Sequence, residues 1–201
     1  YKGYADQFEA KKCGTIKIFR DQPSLEAQIR SNRHLSEVGL DWEALTPDQT
    51  VEAEPHLQAL APQLAGGIRF PADVVADSHK FCQILRDDLI ASGQTVHVGC
   101  QANELLMSGD RVIGARTTIG DIRAKNTILA LGANTRKLAA NDARSILVCP
   151  VKGYSITYDT TGVNDLPSYP VIDEGMHVGI VPTNGKLRAV GIAEFAGHDD
   201  T

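Results

Sequence analysis

What this chain lacks narrows it first. No apolar run approaches the roughly 20 residues needed to cross a bilayer. No stripe of basic residues occurs and the net charge is −5, which argues against nucleic acid as a partner. The four cysteines, Cys13, Cys82, Cys100 and Cys149, lie far apart and form no CxxC. They read as buried, reduced thiols of a cytosolic protein rather than as a disulfide framework or a metal site. The six histidines form no HxxxH or HxH, so metal binding is not expected either. No GxGxxG occurs, so the glycine-rich strand–turn–helix that grips a dinucleotide phosphate is missing from these residues. Repeats, low-complexity segments and a visible signal peptide are absent. The chain opens on Tyr1 rather than Met, and the expectation is that it is the middle of a longer protein.

What is present is enough for one large domain or two small ones, with 42% hydrophobic residues in 201. Thr15 to Phe19 reads as a short strand. Ser24 is the expected cap of a helix that runs to about Val38, with Leu25, Ile29 and Leu35 among its apolar positions and Gly39 as its stop. Thr46-Pro47-Asp48-Gln49 opens a second helix as N-cap, N1 proline and capping box, and Pro55 ends it. Leu57 to Gly67 reads as loop, and Ile68 to Pro71 as a short extended segment. Asp77 or Ser78 starts the clearest helix, to about Ser92, with Phe81, Ile84, Leu85 and Leu89 as its buried stripe and Gly93 as its stop. Thr95 to Val98 is an expected strand. A hairpin follows, Asn103–Met107 and Arg111–Thr117 around Ser108-Gly109-Asp110, and Gly120-Asp121 turns the chain into Ile122–Ala124. Thr127 to Ala133 is uncharged and β-favouring and ends in small residues, the pattern of a buried strand, with a short helix expected from Asn134. Beyond Ile146 the pattern is β-rich: Val151–Asp159, Tyr169–Asp173, His177–Pro182 and Lys186–Ile192, with a turn at Thr183-Asn184-Gly185, read as an antiparallel sheet. The fold class is therefore α+β.

Four stretches carry a resemblance. They are Gly66-Gly67-Ile68-Arg69-Phe70-Pro71-Ala72-Asp73 with Ala76 to Phe81, Asp110 to Gly120 with Ile128 to Ala133, Cys149 to Thr157, and Val190-Gly191-Ile192-Ala193-Glu194-Phe195-Ala196-Gly197. In this order they resemble the FAD-dependent oxidoreductases of the D-amino-acid oxidase type, above all the bacterial D-amino-acid dehydrogenase small subunit. The resemblance implies a substrate-domain antiparallel sheet with helices plus part of an FAD-binding domain. Residues 1–67 and 141–201 would belong to the substrate domain and 68–140 to the FAD domain, with flanking parts elsewhere in the full protein. It implies FAD as cofactor and oxidative deamination of D-amino acids in bacterial amino-acid catabolism. Glycine- or sarcosine-type amine oxidation, 2-hydroxy-acid dehydrogenation and a non-catalytic binding module remain as alternatives. The partner would be a small amino acid or amine, the electron acceptor stays open, and the location would be cytoplasmic or peripheral at the bacterial inner membrane. Without the phosphate grip, the isolated chain is expected to bind FAD weakly or not at all.

Such a reaction moves a hydride to the flavin, so the protein's tasks are close backbone approach, a cation for the carboxylate and placement of Cα–H. The resemblance puts Ala130, Leu131 and Gly132 beside the pyrophosphate and ribityl, Ala102 near the adenine, and Lys152 and Gly153 beside the isoalloxazine. Tyr154, Arg69, Arg188 and Glu194 are the candidate substrate-pocket residues, arginine because its fork suits a carboxylate. Each also reads as an ordinary strand-end or surface residue. His177 and Tyr169 are further pocket candidates, and His79 reads as a helix first-turn residue. The arginine that pairs with the substrate carboxylate in the family falls outside these residues.

Overall fold

The fold is taken from a computed structural model, which describes residues 4–139, 146–183, 185–195 and 197. The chain forms two compact units: residues 1–87 with 153–193, and residues 88–152 with 194–201. The expected boundary between residues 67 and 68 falls inside a strand of the first unit.

The first unit is built on a seven-stranded sheet. Its strands are β2 (Thr15–Phe19), β3 (Glu43–Leu45), β4 (Gly66–Phe70), β9 (Lys152–Asp159), β10 (Val171–Asp173), β11 (Val178–Thr183) and β12 (Lys186–Glu194), in the order β3-β4-β2-β10-β11-β12-β9. The C-terminal strands pair antiparallel as read, β10 with β11 and β11 with β12. β10 also runs parallel to β2, so the C-terminal strands continue a sheet begun by the N-terminal ones. Two further strands, β1 (Lys11–Lys12) and β5 (Val74–Val75), pair with each other. β2 is buried on both faces because the alternation of Thr15-Ile16-Lys17-Ile18-Phe19 is matched by cover on each side. Ile16, Ile18 and Val171 pack under Val51 and Ala53 of helix α2 (Pro47–Ala53) and Leu57 and Leu60 of a 3₁₀ helix (Pro55–Gln63). Phe19 and Ile68 pack under Leu25 and Ile29 of helix α1 (Gln22–Glu37). Full burial of an isoleucine such as Ile16 or Ile68 contributes about 1.5–3 kcal/mol.

The α2 cap is as read: Thr46 Oγ1 accepts from Gln49 N at 3.2 Å and Gln49 Oε1 accepts from Thr46 N at 2.9 Å. α1 differs. Its cap is Asp21, whose Oδ1 accepts from Ser24 N at 2.8 Å, because Pro23 takes the first turn and needs no donor there. The stretch expected to be loop from Leu57 is mostly the 3₁₀ helix; Pro55 ends α2 and starts the next element, its missing N–H falling where no donor is required.

The second unit contains a three-stranded antiparallel sheet, β6 (Ala102–Ser108), β7 (Arg111–Thr117) and β8 (Gly120–Arg123), as the turn residues require. Helix α3 (Ser78–Ala91), capped by Asp77, has its residues to Asp87 in the first unit and the rest in the second, and a one-turn helix α4 (Thr135–Leu138) of the second unit packs on β6. Several expectations fail here. No residue of α3 is buried: Leu85, Leu89 and Ile90 are exposed, and of the expected stripe Phe81 finds a ring partner, Phe8, at 4.9 Å between centroids. Thr95–Val98 forms no strand, and neither does Thr127–Leu131, where Ile128 is 89% exposed. A strand needs a neighbour to accept its ladder bonds, and neither segment takes part in any of the described sheets. Gly132–Asn134 instead forms a 3₁₀ turn leading into α4. The cysteines are free but not buried: Cys82 and Cys149 are exposed and Cys13 and Cys100 half-buried, and Cys149 lies outside any strand. Asn184 of the expected turn, and Ala196 and residues 140–145, lie outside the described residues. Among the described residues no helix is long and apolar enough to cross a membrane.

Candidate functional site

The first unit carries a groove of about 710 Å³. Its walls are the first turn of α3, the paired β1 and β5, the approach to β10 at Leu166–Ser168, Thr157 of β9, and the β11–β12 hairpin end with Lys186 and Arg188. Four cationic side chains line it, Lys11, Lys80, Lys186 and Arg188, against two carboxylates, Glu9 and Asp77. The carboxylates are engaged. Glu9 pairs with Lys80, and Asp77 accepts from Lys80 N at 3.0 Å as the α3 cap, which holds its carboxyl below the usual range. The excess positive charge and the α3 N-terminus suit an anion such as a carboxylate. Arg188 is steadied by a 2.9 Å hydrogen bond to Ser155 Oγ of β9.

Beside this groove is a buried carboxylate that sequence reasoning missed. Glu54, the C-cap of α2, is fully buried. Its Oε2 accepts from Ser168 N at 2.7 Å and Tyr169 N at 3.1 Å, and its Oε1 from His56 N at 3.2 Å and His56 Nδ1 at 2.7 Å. His56 Nε2 reaches Asp165 Oδ1 at 3.0 Å. Burial pushes the Glu54 carboxyl up, but the His56 bond and the backbone donors outweigh it and hold the group below its ordinary value. The bond to Glu54, against partial desolvation and helped by Asp165, raises His56. The sequence offers only Glu54-Pro55-His56 as a signal; nothing in it ties Glu54 to an amide 114 residues later.

The candidate pocket residues do not converge. Arg69 pairs in register with Ile16, Ile16 with Val171, Val171 with Ile180, and Ile180 with Ala189, so these share one face of the sheet. Arg188 neighbours Ala189 and therefore points to the opposite face. Arg69 is also four strand spacings away, about 19 Å, and bound to Glu43 at 2.9 Å, the main cause of its raised pKa. The expectation that both arginines line one pocket is corrected: Arg188 belongs to the groove and Arg69 to a surface pair. Gly153 and Tyr154 follow Lys152 at the start of β9, the strand beside Arg188's. Glu194 ends β12 just past Ile192, whose φ of 58° is a strained conformation for a β-branched residue and interrupts the strand's alternation. His79 lines the groove; Tyr169 packs on the core cluster around Ile16, and His177, with φ 53°, precedes β11.

In the second unit Ala102 opens β6, paired with Thr117. Ala130 and Leu131 are exposed, and Gly132 takes φ 53° with no atom within 4 Å of where a Cβ would stand. Lys152 is half-buried at the start of β9, and Gly153 likewise faces open space. Exposed backbone at small residues, with room where side chains would otherwise stand, fits the close approach of a flat, phosphate-bearing group such as FAD.

Residues 2–201 match the family model described as DAO, FAD dependent oxidoreductase. The chain belongs to the FAD dependent oxidoreductase family. This member is 31% identical over 196 residues to a D-amino acid dehydrogenase of Vibrio cholerae serotype O1 (strain M66-2), covering 98% of the chain and 47% of that protein. It is 34% identical over 194 residues to a D-amino acid dehydrogenase of Cereibacter sphaeroides (strain ATCC 17023), covering 96% of the chain and 44% of that protein. Among solved structures it resembles L-proline dehydrogenase from P. horikoshii, with TM-score 0.83 and 17% identity over 98% of the chain and 54% of that protein. It also resembles glycine oxidase from Bacillus cereus, with TM-score 0.79 and 20% identity over the whole chain and 54% of that protein. The fold is thus the α+β fold of FAD-dependent amine oxidases and dehydrogenases, and the chain spans about half the length of the curated relatives it matches.

Proposed function

We propose that this chain is the central portion of an FAD-dependent dehydrogenase that oxidatively deaminates D-amino acids. The observation that carries the reading is the match, along 98% of the chain, to proteins named D-amino acid dehydrogenase. FAD, when bound, supplies the acceptor for the hydride leaving Cα. This chain's residues supply binding and placement. Ala102, Ala130, Leu131 and Gly132 offer backbone to the nucleotide end, and Lys152 and Gly153 to the ring end. In the groove, Arg188, steadied by Ser155, and the nearby Lys186 supply positive charge that favours the substrate carboxylate, beside the family's carboxylate-pairing arginine that falls outside these residues. Tyr154, which alternates with Ser155 along β9, and Glu194, at the end of β12, do not line the groove. The division into an FAD part at residues 68–140 flanked by substrate-domain parts belongs to the same proposal, as does a cytoplasmic location that is peripheral at the bacterial inner membrane.

The test is the visible spectrum of the complete protein before and after anaerobic addition of D-amino acids, their L-enantiomers, sarcosine and 2-hydroxy acids. A flavin band that bleaches with D- but not L-amino acids is the expected result. Bleaching by sarcosine or a 2-hydroxy acid alone replaces the substrate class. A folded protein that takes up no FAD overturns the reading.

A further inference from the structure

We propose that Glu54 is a positioning residue for substrate: with His56 and Asp165 it clasps the Leu166–Tyr169 segment that forms one wall of the cationic groove. This rests on the groove being the amino-acid site.

Leu166, Pro167 and Ser168 line the groove, and the segment belongs to no helix or strand. A wall without ladder bonds must be fixed another way. Glu54 does so from beneath, taking two consecutive amides, Ser168 N and Tyr169 N, on one oxygen. A buried carboxylate in that position needs hydrogen-bond partners, and His56 meets its Oε1 through N at 3.2 Å and Nδ1 at 2.7 Å. The imidazole's other nitrogen ties down Asp165 at the start of the same segment. The clasp thus grips the segment at 165 and at 168–169, through charges absent from the groove itself. The charged groups near His56 are Glu54 and Asp165, with Arg20 and Asp173 lining the same apolar cleft of about 350 Å³ and already paired with each other at 2.7 Å. Tyr169 is followed by Pro170 and then β10, so the clasp sets where the wall leaves the sheet.

The experiment uses the complete FAD-loaded protein with Glu54→Gln, His56→Gln and Asp165→Asn. It measures steady-state kinetics with a D-amino acid and amide hydrogen exchange at Ser168 and Tyr169. Glu54→Gln keeps the shape but turns an amide nitrogen toward backbone donors. It should raise KM about fivefold or more while kcat stays within about twofold, and speed exchange at both amides about tenfold. His56→Gln should give the same pattern at smaller size, which keeps the test decisive if Glu54→Gln does not fold. Asp165→Asn, at an exposed side chain, should change KM by less than about twofold. A kcat loss with unchanged KM overturns the proposal, as does faster exchange with unchanged kinetics, or unchanged exchange. The exchange readout needs no catalysis: a protein that turns over no amino acid sinks the substrate reading, while exchange at Ser168 and Tyr169 still decides whether Glu54 holds the segment.

Discussion

Two β-favouring runs of the chain have opposite fates. Thr15-Ile16-Lys17-Ile18-Phe19 becomes the centre of a seven-stranded sheet, with Ile16 and Ile18 sealed from solvent. Thr127-Ile128-Leu129-Ala130-Leu131 carries no charge at all, yet forms no strand and exposes Ile128 and Leu131. The difference is neighbours rather than side chains. The first run has β4 on one edge, β10 on the other and a helical cover on each face; the second has none of these among the described residues. The same contrast divides the two units. The first has two apolar core clusters, whereas residues 88–152 bury only Leu106 and Leu138 among their described hydrophobics and leave Leu89, Ile90, Val98 and Met107 exposed. Burial is a property of a pair of surfaces, and apolar sequence supplies only one of them.

The sharpest way to break this comparison is core truncation. Ile68→Ala, at a sealed position, should cost about 2–5 kcal/mol of unfolding free energy, and Leu106→Ala should fall at or below the bottom of that range because its surroundings can collapse. Equal losses in denaturant titration would mean that the second unit has a core comparable to the first. The second unit should instead be sensitive to backbone geometry. Gly114 takes φ 147° and a Cβ there would stand 2.1 Å from Ile122 O, so Gly114→Ala should cost about 1–3 kcal/mol. Gly153→Ala on β9, open on all sides at a φ that other residues adopt, should be near neutral, within about 0.5 kcal/mol.

The first unit should also respond to pH through Glu54 and His56. Glu54 is lowered from 4.5, so its contribution is complete above that value and lost as pH falls through its folded value. His56 is raised from 6.5, so its contribution is complete below that value and lost as pH rises through its folded value. Both act in full between 4.5 and 6.5. Thermal unfolding of the wild type against His56→Gln should show the gap widest in that window, and a gap independent of pH would remove the charge pair from the account. The smallest effect should be Ile128→Ser, within about 0.5 kcal/mol. A large loss there would show that Ile128 is covered in the complete protein.

The local grammar of the chain was legible. The Thr46–Gln49 capping box, the Gly39 and Gly93 stops and the hairpin at Gly109 are set by residues within a few positions of one another, and they stand where the sequence puts them. The family was legible from the order of four motifs. What was hidden depends on distant partners: the parallel pairing of β10 with β2, the exposure of α3's apolar stripe, and the burial of Glu54. The two candidate arginines illustrate the limit. Both sit on strands and look alike in the sequence, but a register chain across five strands places them on opposite faces, and no local pattern encodes that parity.

The parallel contact between β2 and β10 also sets a clock. Arg20, just past β2, meets Asp173 across 153 residues of chain. At a synthesis rate of about 5–20 residues per second, that interval is about 8–30 s. Throughout it, one edge of β2 waits with its ladder unpaired while the rest of the chain emerges. Nascent chains of this protein therefore spend much of their synthesis as a half-sheet whose missing strand has not yet been made, a period in which another copy's strand competes for the same edge.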